Sequence, residues 1–465
     1  MKNIRFTKMS NWCIGLFLFA CLNFSSCSKD NDEQPWNNEK EEIEEIEQGN
    51  DYPRLSDSED RFYSDKIPNQ ETVVKLSGAK SPADSQLLNT EIADLSALGG
   101  GMLRITTGTY YLRDVKLRSN VHLNIDSDVT IEPDLNGNVT GKNINIFEIG
   151  NEFNVENVAI TNAKMDDMDR STWYHVNIPA GDYRGVKLVE LGNVENFKIS
   201  GVNISDSYSV FSAIVLNFPD DGNRGNIPRN GIIKDVLHNN SHVGYGLVQM
   251  QAGKTILCKN LDGKGGITLR VETGAREVNL VNDKTVDDVV GRNITIRNGD
   301  AAFDLSPHRV DQGRVDVEGV IAINSTYAVR LSAGFLDNKP GTVENQGTFD
   351  SRSYVGNITV VGGEGAQIKS KDYQFFDCEE RKELILKCQN PDNESTSGRS
   401  IGSIRDNSSA ASGCTEGSLG GCYEVNVENI TKTNEDFVKS ETYIYKNMGV
   451  RGCPSVEKPE NGNCN

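Results

Sequence analysis

Short Asn-rich segments recur along this 465-residue chain, and this repetition restricts the fold more than any other feature. Residues 154–163 read Asn-Val-Glu-Asn-Val-Ala-Ile-Thr-Asn-Ala, and residues 193–202 read Asn-Val-Glu-Asn-Phe-Lys-Ile-Ser-Gly-Val. Weaker copies follow at 291–299, 315–324, 355–363 and 425–433. Short strands that repeat at irregular periods of about 20–35 residues, with Asn and Gly turns between them, are typical of a solenoid of stacked coils.

The segment before these repeats favours one kind of solenoid. A helix is predicted to begin at Ser81-Pro82-Ala83-Asp84, and three glycines (99–101) end it. Its apolar stripe consists of Leu88, Ile92, Leu95 and Leu98. A capping helix followed by an alternating, β-branched strand resembles the entry to a right-handed parallel β-helix. We therefore expect an all-β fold of that class, with a β-sandwich as the alternative, although hairpin turns are not evident.

The N-terminus is predicted to be an export signal. A basic start leads into the apolar stretch 12–24, which is too short to span a membrane comfortably. The sequence Ser25-Ser26-Cys27 resembles a bacterial lipoprotein processing site, and the acidic run behind it resembles the surface-export signal of Bacteroidota lipoproteins. We expect lipidation at Cys27 and a protein that is outer-membrane-anchored, exposed at the cell surface or secreted. An ordinary secretory signal is the alternative.

Charge divides the chain unevenly. The formal net charge is −19, and residues 28–60 hold thirteen acidic and three basic side chains. An acidic surface disfavours nucleic acid, and a self-repelling acidic run is typical of a flexible tether. The predicted organisation is a signal peptide (1–27), an acidic tether (28–65), a catalytic β-helix (66–371), a Cys-rich insertion (372–423), and a last coil with a C-terminal tail (424–465).

Cysteine usage also indicates export. Three disulfides are predicted among six late cysteines: Cys378, Cys388, Cys414, Cys422, Cys453 and Cys464. The local pairs 378–388, 414–422 and 453–464 are the simplest of 15 connectivities, and the sequence does not choose between them. Zinc is a less favoured use of these thiols, because no histidine follows His308. Cys258 remains, and we expect it to be a buried free thiol.

A second set of strands carries the candidate chemistry. Seven segments align as successive rungs of one sheet: 146–150, 187–191, 212–217, 246–251, 267–272, 301–306 and 327–332. Period-2 alternation points one group of polar side chains outward: Gln249, Arg270, Glu272, Asp304 and Arg330, with His308 just beyond its rung. Because neighbouring rungs lie about 4.8 Å apart, these groups should form one polar column suited to acid/base chemistry. A solvated outer face without a function is the alternative.

These residues resemble one known family. The sequence Leu-Arg-Val-Glu-Thr-Gly around Glu272, with Gln249 before it and His308 after it, is similar to the iota-carrageenases over roughly residues 70–450. These enzymes are inverting glycoside hydrolases with a right-handed β-helix, and they cleave β-1,4 bonds in a sulfated galactan of red algae. The resemblance implies that Glu272 is the general acid. It also implies that His308 supports the transition state or binds substrate, that Gln249 helps to place a water or an ion, and that Arg270 and Arg330 bind sulfate.

The chain departs from the family at one position. Gly274 stands where members often carry an aspartate, two residues after the acid, as candidate general base. Residues i and i+2 on a strand lie about 6.6 Å apart, which suits an inverting pair. Asp304 is our first alternative for the base, and Asp337 is the second. Calcium, sodium and chloride ions are implied by the resemblance, and the chemistry requires no cofactor.

Other functions remain open at this stage. A polysaccharide lyase or a polygalacturonase-like hydrolase would use the same fold, but the Gly-His-Gly and Arg-Ile-Lys patterns of polygalacturonases do not occur. A non-catalytic glycan-binding β-helix is the alternative from another class. The expected partner is a sulfated polysaccharide. We expect a monomer with no nucleic-acid partner and with membrane contact only through the lipid anchor.

Overall fold

Parallel β-strands dominate the structure, which is a computed structural model. It describes residues 53–164, 169–219, 226–274, 284–335, 346–387, 395–408, 423–433, 436–450 and 453. Within these ranges one sheet contains 22 strands, and each of its pairings is parallel. A small antiparallel sheet of three strands accompanies it.

The regular elements are numbered along the chain. The helices are α1 (Ala83–Ala97) and α2 (Glu380–Glu383), with short 3-10 helices at Glu59–Arg61, Arg170–Thr172, Ser370–Phe375 and Lys446–Met448. The strands are β1 (Glu71–Val74), β2 (Gly101–Ile105), β3 (Gly108–Leu112), β4 (Val115–Leu117), β5 (Val121–Ile125), β6 (Val129–Pro133), β7 (Asn143–Ile149), β8 (Val155–Asn162), β9 (Tyr174–Asn177), β10 (Gly185–Leu191), β11 (Val194–Ser205), β12 (Ile214–Leu216), β13 (Arg229–Met250), β14 (Gly253–Glu272), β15 (Val286–Arg297), β16 (Ala301–Ser306), β17 (Val315–Ile323), β18 (Val329–Ser332), β19 (Tyr354–Val361), β20 (Ala366–Ile368), β21 (Ile385–Lys387), β22 (Ser395–Gly398), β23 (Ile404–Asn407), β24 (Asn426–Thr433) and β25 (Tyr443–Ile444).

The strands stack into three faces of a parallel β-helix. The first face contains β1, β2, β5, β8 and the first parts of β11, β13, β14, β15, β17, β19 and β24. The second face contains β3, β6, β9 and the later parts of those long strands. The third face contains β4, β7, β10, β12, the ends of β13 and β14, β16, β18, β23 and β25. Such parallel crossovers are right-handed as a rule, so the predicted fold class is confirmed.

Apolar side chains of successive coils fill the inside. On the third face, one inward stack is fully buried and consists of Phe147, Val189, Ile214, Val248, Leu269, Phe303, Val329 and Ile404. Cys258 is also buried in this core as a free thiol, as expected, and burial raises its pKa to about 12. The seven predicted rungs pair in the predicted order, and the inward positions leave alternate side chains on the outer surface.

Helix α1 caps the N-terminal coils. Leu88, Ile92 and Leu95 are buried in the main core, as the predicted stripe requires. Leu98 is an exception, because it lies just past the helix end and is 81% exposed. The stripe therefore ends one turn earlier than predicted.

Part of the predicted tether is packed against the β-helix. Residues 53–65, here called the docked segment, cross the outside of the first face. Phe62 is 1% exposed and packs with Ile232, Leu257 and Val290. The backbone amide of Ser64 donates to Asn196 Oδ1 at 2.9 Å. The prediction of a flexible tether over 28–65 is therefore wrong for 53–65, because apolar and polar contacts fix this segment, and residues 28–52 lie outside the described residues.

The C-terminal region also differs from the prediction. Strands β20, β22 and β21 form the small antiparallel sheet, but β23 then pairs with β18 as a further rung of the third face. The coil therefore continues inside the predicted insertion 372–423. Cys378 is bonded to Cys453, 75 residues away, so the local pairs 378–388 and 453–464 are wrong. The chain returns to the insertion near its end, which brings these two cysteines together. Cys388, Cys414, Cys422 and Cys464 lie outside the described residues.

No helix in the described ranges is long and apolar enough to cross a membrane.

Candidate active site

The predicted polar column lies on the third face. Gln249 on β13 pairs with Arg270 on β14, Arg270 pairs with Asp304 on β16, and Asp304 pairs with Arg330 on β18. Gln249, Asp304 and Arg330 are each no more than 7% exposed. Their outward direction follows from alternation, but this part of the face is buried and is not a solvated outer surface.

Glu272 lies at the end of β14, on the same side as Arg270. The Nη2 of Arg270 makes an ion pair with Glu272 Oε2, and the imidazole Nε2 of His308 lies 3.2 Å from Glu272 Oε1. Both carboxylate oxygens therefore face a cationic or protonatable group. Arg270 places a positive charge beside this carboxyl, and His308 is a neighbour that can exchange a proton with it.

An unusual backbone conformation presents the His308 ring. This residue has a φ of +50°, in the left-handed region that side chains other than glycine rarely adopt. Its carbonyl accepts hydrogen bonds from the amides of Phe335 at 2.9 Å and Gly347 at 2.8 Å. The imidazole also packs 4.4 Å from the ring of Phe335. These contacts hold the turn in a conformation that places His308 beside Glu272.

The ring of His308 also takes up the space beside Gly274. A Cβ atom at position 274 would lie 2.6 Å from His308 Cε1 and 2.7 Å from its Nε2. Real Cβ atoms do not come so close, so a side chain at 274 requires the imidazole to move. Position 274 carries a glycine in place of the expected aspartate. Because this glycine has no side chain, the His308 ring has the space to reach Glu272.

Asp304 lies between two arginines. Its Oδ2 is 3.8 Å from Arg270 Nε, and its Oδ1 is 4.0 Å from Arg330 Nε. Oδ1 makes no hydrogen bond to another group in the described part of the chain. A carboxylate oxygen without a hydrogen bond can accept one from a water molecule.

The sequence did not reveal the partners that fix Arg330. Its Nη1 donates to Asp300 Oδ2 at 2.6 Å, and the same oxygen accepts from Lys369 Nζ at 2.5 Å. Burial opposes ionisation of Asp300, but the charges of Arg330 and Lys369 hold its pKa below the ordinary value. Asp300 precedes β16 and Lys369 follows β20, so strand alternation could not identify either residue.

One further rung extends the column. Arg405 on β23 pairs with Arg330, and its guanidinium makes an ion pair with the buried Asp372. Carboxylates therefore balance the positive charges of Arg270 and Arg330, the predicted sulfate-binding residues. The charge of Arg405 is balanced in the same way. A sulfate would have to compete with these carboxylates or join them.

Two curated relatives are iota-carrageenases. The protein of that name from Zobellia galactanivorans is 36% identical over 257 residues, which are 55% of this chain and 50% of the relative. The Alteromonas macleodii protein is 33% identical over 261 residues, 56% of this chain and 51% of the relative. The chain thus spans about half the length of the curated relatives that it matches. The resemblance inferred from the residues around Glu272 is confirmed over that part of the chain, while no family model matches.

Solved structures confirm the fold. A galactohydrolase, named for its sulfated galactose and anhydrogalactose units, has a TM-score of 0.75 at 24% identity and covers 89% of this chain and 99% of its own. An iota-carrageenase from A. fortis has a TM-score of 0.74 at 22% identity, with 89% and 97% covered. A third structure, an iota-carrageenase complexed to iota-carrageenan fragments, has a TM-score of 0.73 at 24% identity, with 87% and 97% covered. At these identities the likeness shows the fold alone.

Two further histidines, His122 and His238, are buried among structural partners. His122 is 2% exposed, bonds Thr161 Oγ1 at 2.7 Å, and has a pKa lowered by burial to about 4, in keeping with a structural role. His238 lies between Asp206 at 3.3 Å and Ser241 at 2.9 Å, and all three side chains are buried. Asp337, the second candidate base, lies outside the described residues.

Proposed function

We propose that this chain is an endo-acting glycoside hydrolase that cleaves β-1,4 linkages of iota-carrageenan with inversion. The observation that carries the proposal is the contact of Glu272 with both Arg270 and His308 in a polar column, on a chain related to iota-carrageenases. The substrate would be a sulfated polysaccharide because three arginines line the same face. A lyase would instead yield unsaturated sugars, and a binding module would yield no new chain ends.

Glu272 acts as the general acid in this proposal. It must carry a proton when the glycosidic oxygen leaves, and the imidazole of His308, 3.2 Å away, can supply that proton to the carboxylate. His308 would further support the transition state or bind substrate, and Gln249 would help to place the attacking water. Arg270, the direct partner of Glu272, lies where it can also bind a substrate sulfate.

Asp304 is our proposal for the general base. Glu272 pairs with Ser306, so Asp304 lies one strand across and two residues back on the same side. That offset corresponds to about 8 Å between backbones, which is compatible with the roughly 6.5–9.5 Å that separates the two carboxyl groups of an inverting pair. Its Oδ1, without a hydrogen bond in the described residues, can accept the proton of that water.

We also propose export to the cell surface through a lipid on Cys27. The Cys378–Cys453 disulfide supports an oxidising compartment, and the signal-like N-terminus supports export. A monomer is the proposed state. Calcium, sodium and chloride stay predictions from the resemblance. The described residues contain no group of three His, Cys, Asp or Glu side chains placed for a metal ion, and no step above is routed through an ion.

The test is turnover of purified protein on iota-carrageenan, followed as new reducing ends. We expect Glu272→Gln, which keeps the shape but cannot supply the proton, to lower kcat by at least about a thousandfold. Asp304→Asn should lower it by at least about a hundredfold with unchanged thermal unfolding. Near-normal turnover by Glu272→Gln would contradict the assignment of the acid. Products that absorb as 4,5-unsaturated sugars would contradict hydrolysis.

A further inference from the structure

Two aromatic rings lie at the start of the third face, on the coils before the acid. Phe211 precedes β12, and Tyr245 lies within β13 just before its third-face part. Their ring centroids are 5.6 Å apart in an edge-to-face arrangement. Both side chains are partly exposed, and Phe211 belongs to none of the apolar clusters of the described residues. Core packing therefore does not explain the position of Phe211.

The backbone of Phe211 is in a conformation that side chains normally avoid. Its φ of +131° lies in a region that glycine adopts readily and other residues rarely adopt. The neighbouring coil makes room for the ring through Gly185, where a Cβ would lie 2.6 Å from Phe211 Cδ2 and 1.6 Å from Val210 O. Such conformations persist where the surroundings enforce them, and they concentrate at ligand clamps and active sites. The presence of phenylalanine in this conformation therefore indicates that its ring has a function.

Cations surround the two rings. The guanidinium of Arg184, which is exposed, lies 5.6 Å from the Phe211 centroid, and the Lys187 ammonium lies 5.1 Å from it. The guanidinium of Arg270 lies 5.9 Å from the Tyr245 centroid and also contacts Glu272. The patch is therefore continuous with the polar column. Along the strand direction it begins about 17 Å from Glu272, which corresponds to the five residues from Ile267, the partner of Gly246, to Glu272.

We propose that Phe211 and Tyr245 form a carbohydrate-binding platform, with Arg184 as its sulfate-binding edge, for the part of a sulfated galactan chain remote from the cleaved bond. Sugar rings present flat C–H faces that pack on aromatic rings, while their sulfate groups project from the edges toward guanidinium groups. Lys187 is paired with Glu190 at 2.6 Å, so Arg184 is the cation assigned to the sulfate. The platform rests on the proposed function, and it adds a binding subsite to it.

Direct binding in the catalytically inactive Glu272→Gln chain tests the platform without turnover. Iota-carrageenan oligosaccharides long enough to span the third face serve as the probe, and calorimetry gives Kd. Adding Phe211→Gly removes the ring, and glycine adopts this positive φ without strain. We therefore expect about tenfold weaker binding without a loss of thermal stability. Tyr111→Ala is the matched control, because it removes an aromatic ring beneath a cation, Lys80, on the first coils. It should leave Kd unchanged.

A second variant covers the case in which Phe211→Gly unfolds more easily. Phe211→Leu keeps apolar bulk at the same position, and we expect it also to bind several-fold more weakly. Arg184→Gln should weaken binding of the sulfated oligosaccharide and leave binding of its desulfated form unchanged. Unchanged Kd for Phe211→Gly or for Phe211→Leu would overturn the platform alone. Absence of binding by the Glu272→Gln parent would overturn both the platform and the proposed function.

Discussion

At the scale of single residues, a steric fit at Gly274 links Glu272 to its neighbour His308. The sequence showed that Gly274 replaces an expected aspartate, but it did not show why. In the structure the His308 ring lies against the backbone of Gly274 and reaches Glu272, so a side chain at 274 and this histidine position exclude each other. The missing carboxylate and the placement of His308 are therefore one feature, and the proposed function needs its base from another rung.

Substitution of Gly274 by alanine tests this fit. The new Cβ would displace the imidazole and break its contact with Glu272, so we expect kcat on iota-carrageenan to fall at least about tenfold, or about 1.4 kcal/mol. Thermal unfolding should change little, because Gly274 has no left-handed φ that alanine would strain. Turnover of the variant and its pH profile are the measurements.

A double variant supplies the control for this experiment. In a His308→Ala chain there is no ring to displace, so adding Gly274→Ala should cost almost nothing further. If Gly274→Ala lowers kcat equally in both backgrounds, the effect does not pass through His308, and the steric link is wrong.

Alternation predicted the outward residues of the site but not their partners. Gln249, Arg270, Asp304 and Arg330 followed from period 2, because a strand has only two faces. Lys369 could not be found in this way. It reaches Asp300 from beyond β20, and contacts between remote segments leave no local signal in a sequence. The same limit hid the left-handed turns at Phe211 and His308.

At the scale of elements, the Asn-rich repeats turn out to have a structural cause. Asn157 and Asn196 occupy equivalent positions in the two clearest repeats, and both have left-handed φ values, +55° and +60°. Asn157 Nδ2 donates to Asn120 Oδ1 at 2.9 Å, and Asn196 Nδ2 donates to Asn157 Oδ1 at 2.8 Å. Asparagine combines tolerance of this backbone with a side chain that both donates and accepts, which explains its recurrence at this position as Asn120, Asn157, Asn196 and Asn230.

Two substitutions at Asn157 separate these contributions. Asn157→Gly keeps a backbone suited to the turn but loses two hydrogen bonds, which corresponds to about 2 kcal/mol. Asn157→Ala loses them and also places a Cβ in the left-handed region, which adds about 1–2 kcal/mol. We expect thermal stability in the order wild type, glycine variant, alanine variant. Equal stability of the two variants would show that the backbone conformation contributes nothing.

The elements that the sequence missed are short or interrupted. The predicted rungs from 146 to 332 are present, whereas β4 has three residues and β25 has two. Strand β23 resumes the third face only after the small antiparallel sheet. A repeat is recognised in a sequence only when each coil contributes several residues to the pattern. Rungs as short as these are therefore recognised only in the structure, where they pair with the strand of a neighbouring coil.

At the scale of the whole molecule, composition was misleading about the docked segment. The acid-rich run 28–60 predicted a solvated tether up to residue 65, but Leu55 and Phe62 give the end of this tether apolar contacts. Its polar groups also have specific partners. The Leu55 amide donates to Asp316 Oδ2 at 3.0 Å, and Lys234 Nζ donates to Glu59 Oε2 at 2.8 Å. The net charge of −19 is therefore a property of the whole chain, and it does not give the sign of the charge at any one surface.

Two truncated chains test whether the docked segment ties the coils together. A chain that begins at Pro53 keeps the segment, and we expect its unfolding temperature to match that of the full chain. A chain that begins at Lys66 exposes Ile232, Leu257 and Val290, so it should unfold several degrees lower at the same heating rate. Phe62→Ala alone should destabilise by about 3 kcal/mol, whereas Val73→Ala, at a half-exposed side chain, should cost little. Turnover at 25 °C should be retained in both truncated chains, because the segment packs on the first face and the acid lies on the third. Equal unfolding temperatures for the two truncated chains would show that residues 53–65 rest on the β-helix without stabilising it.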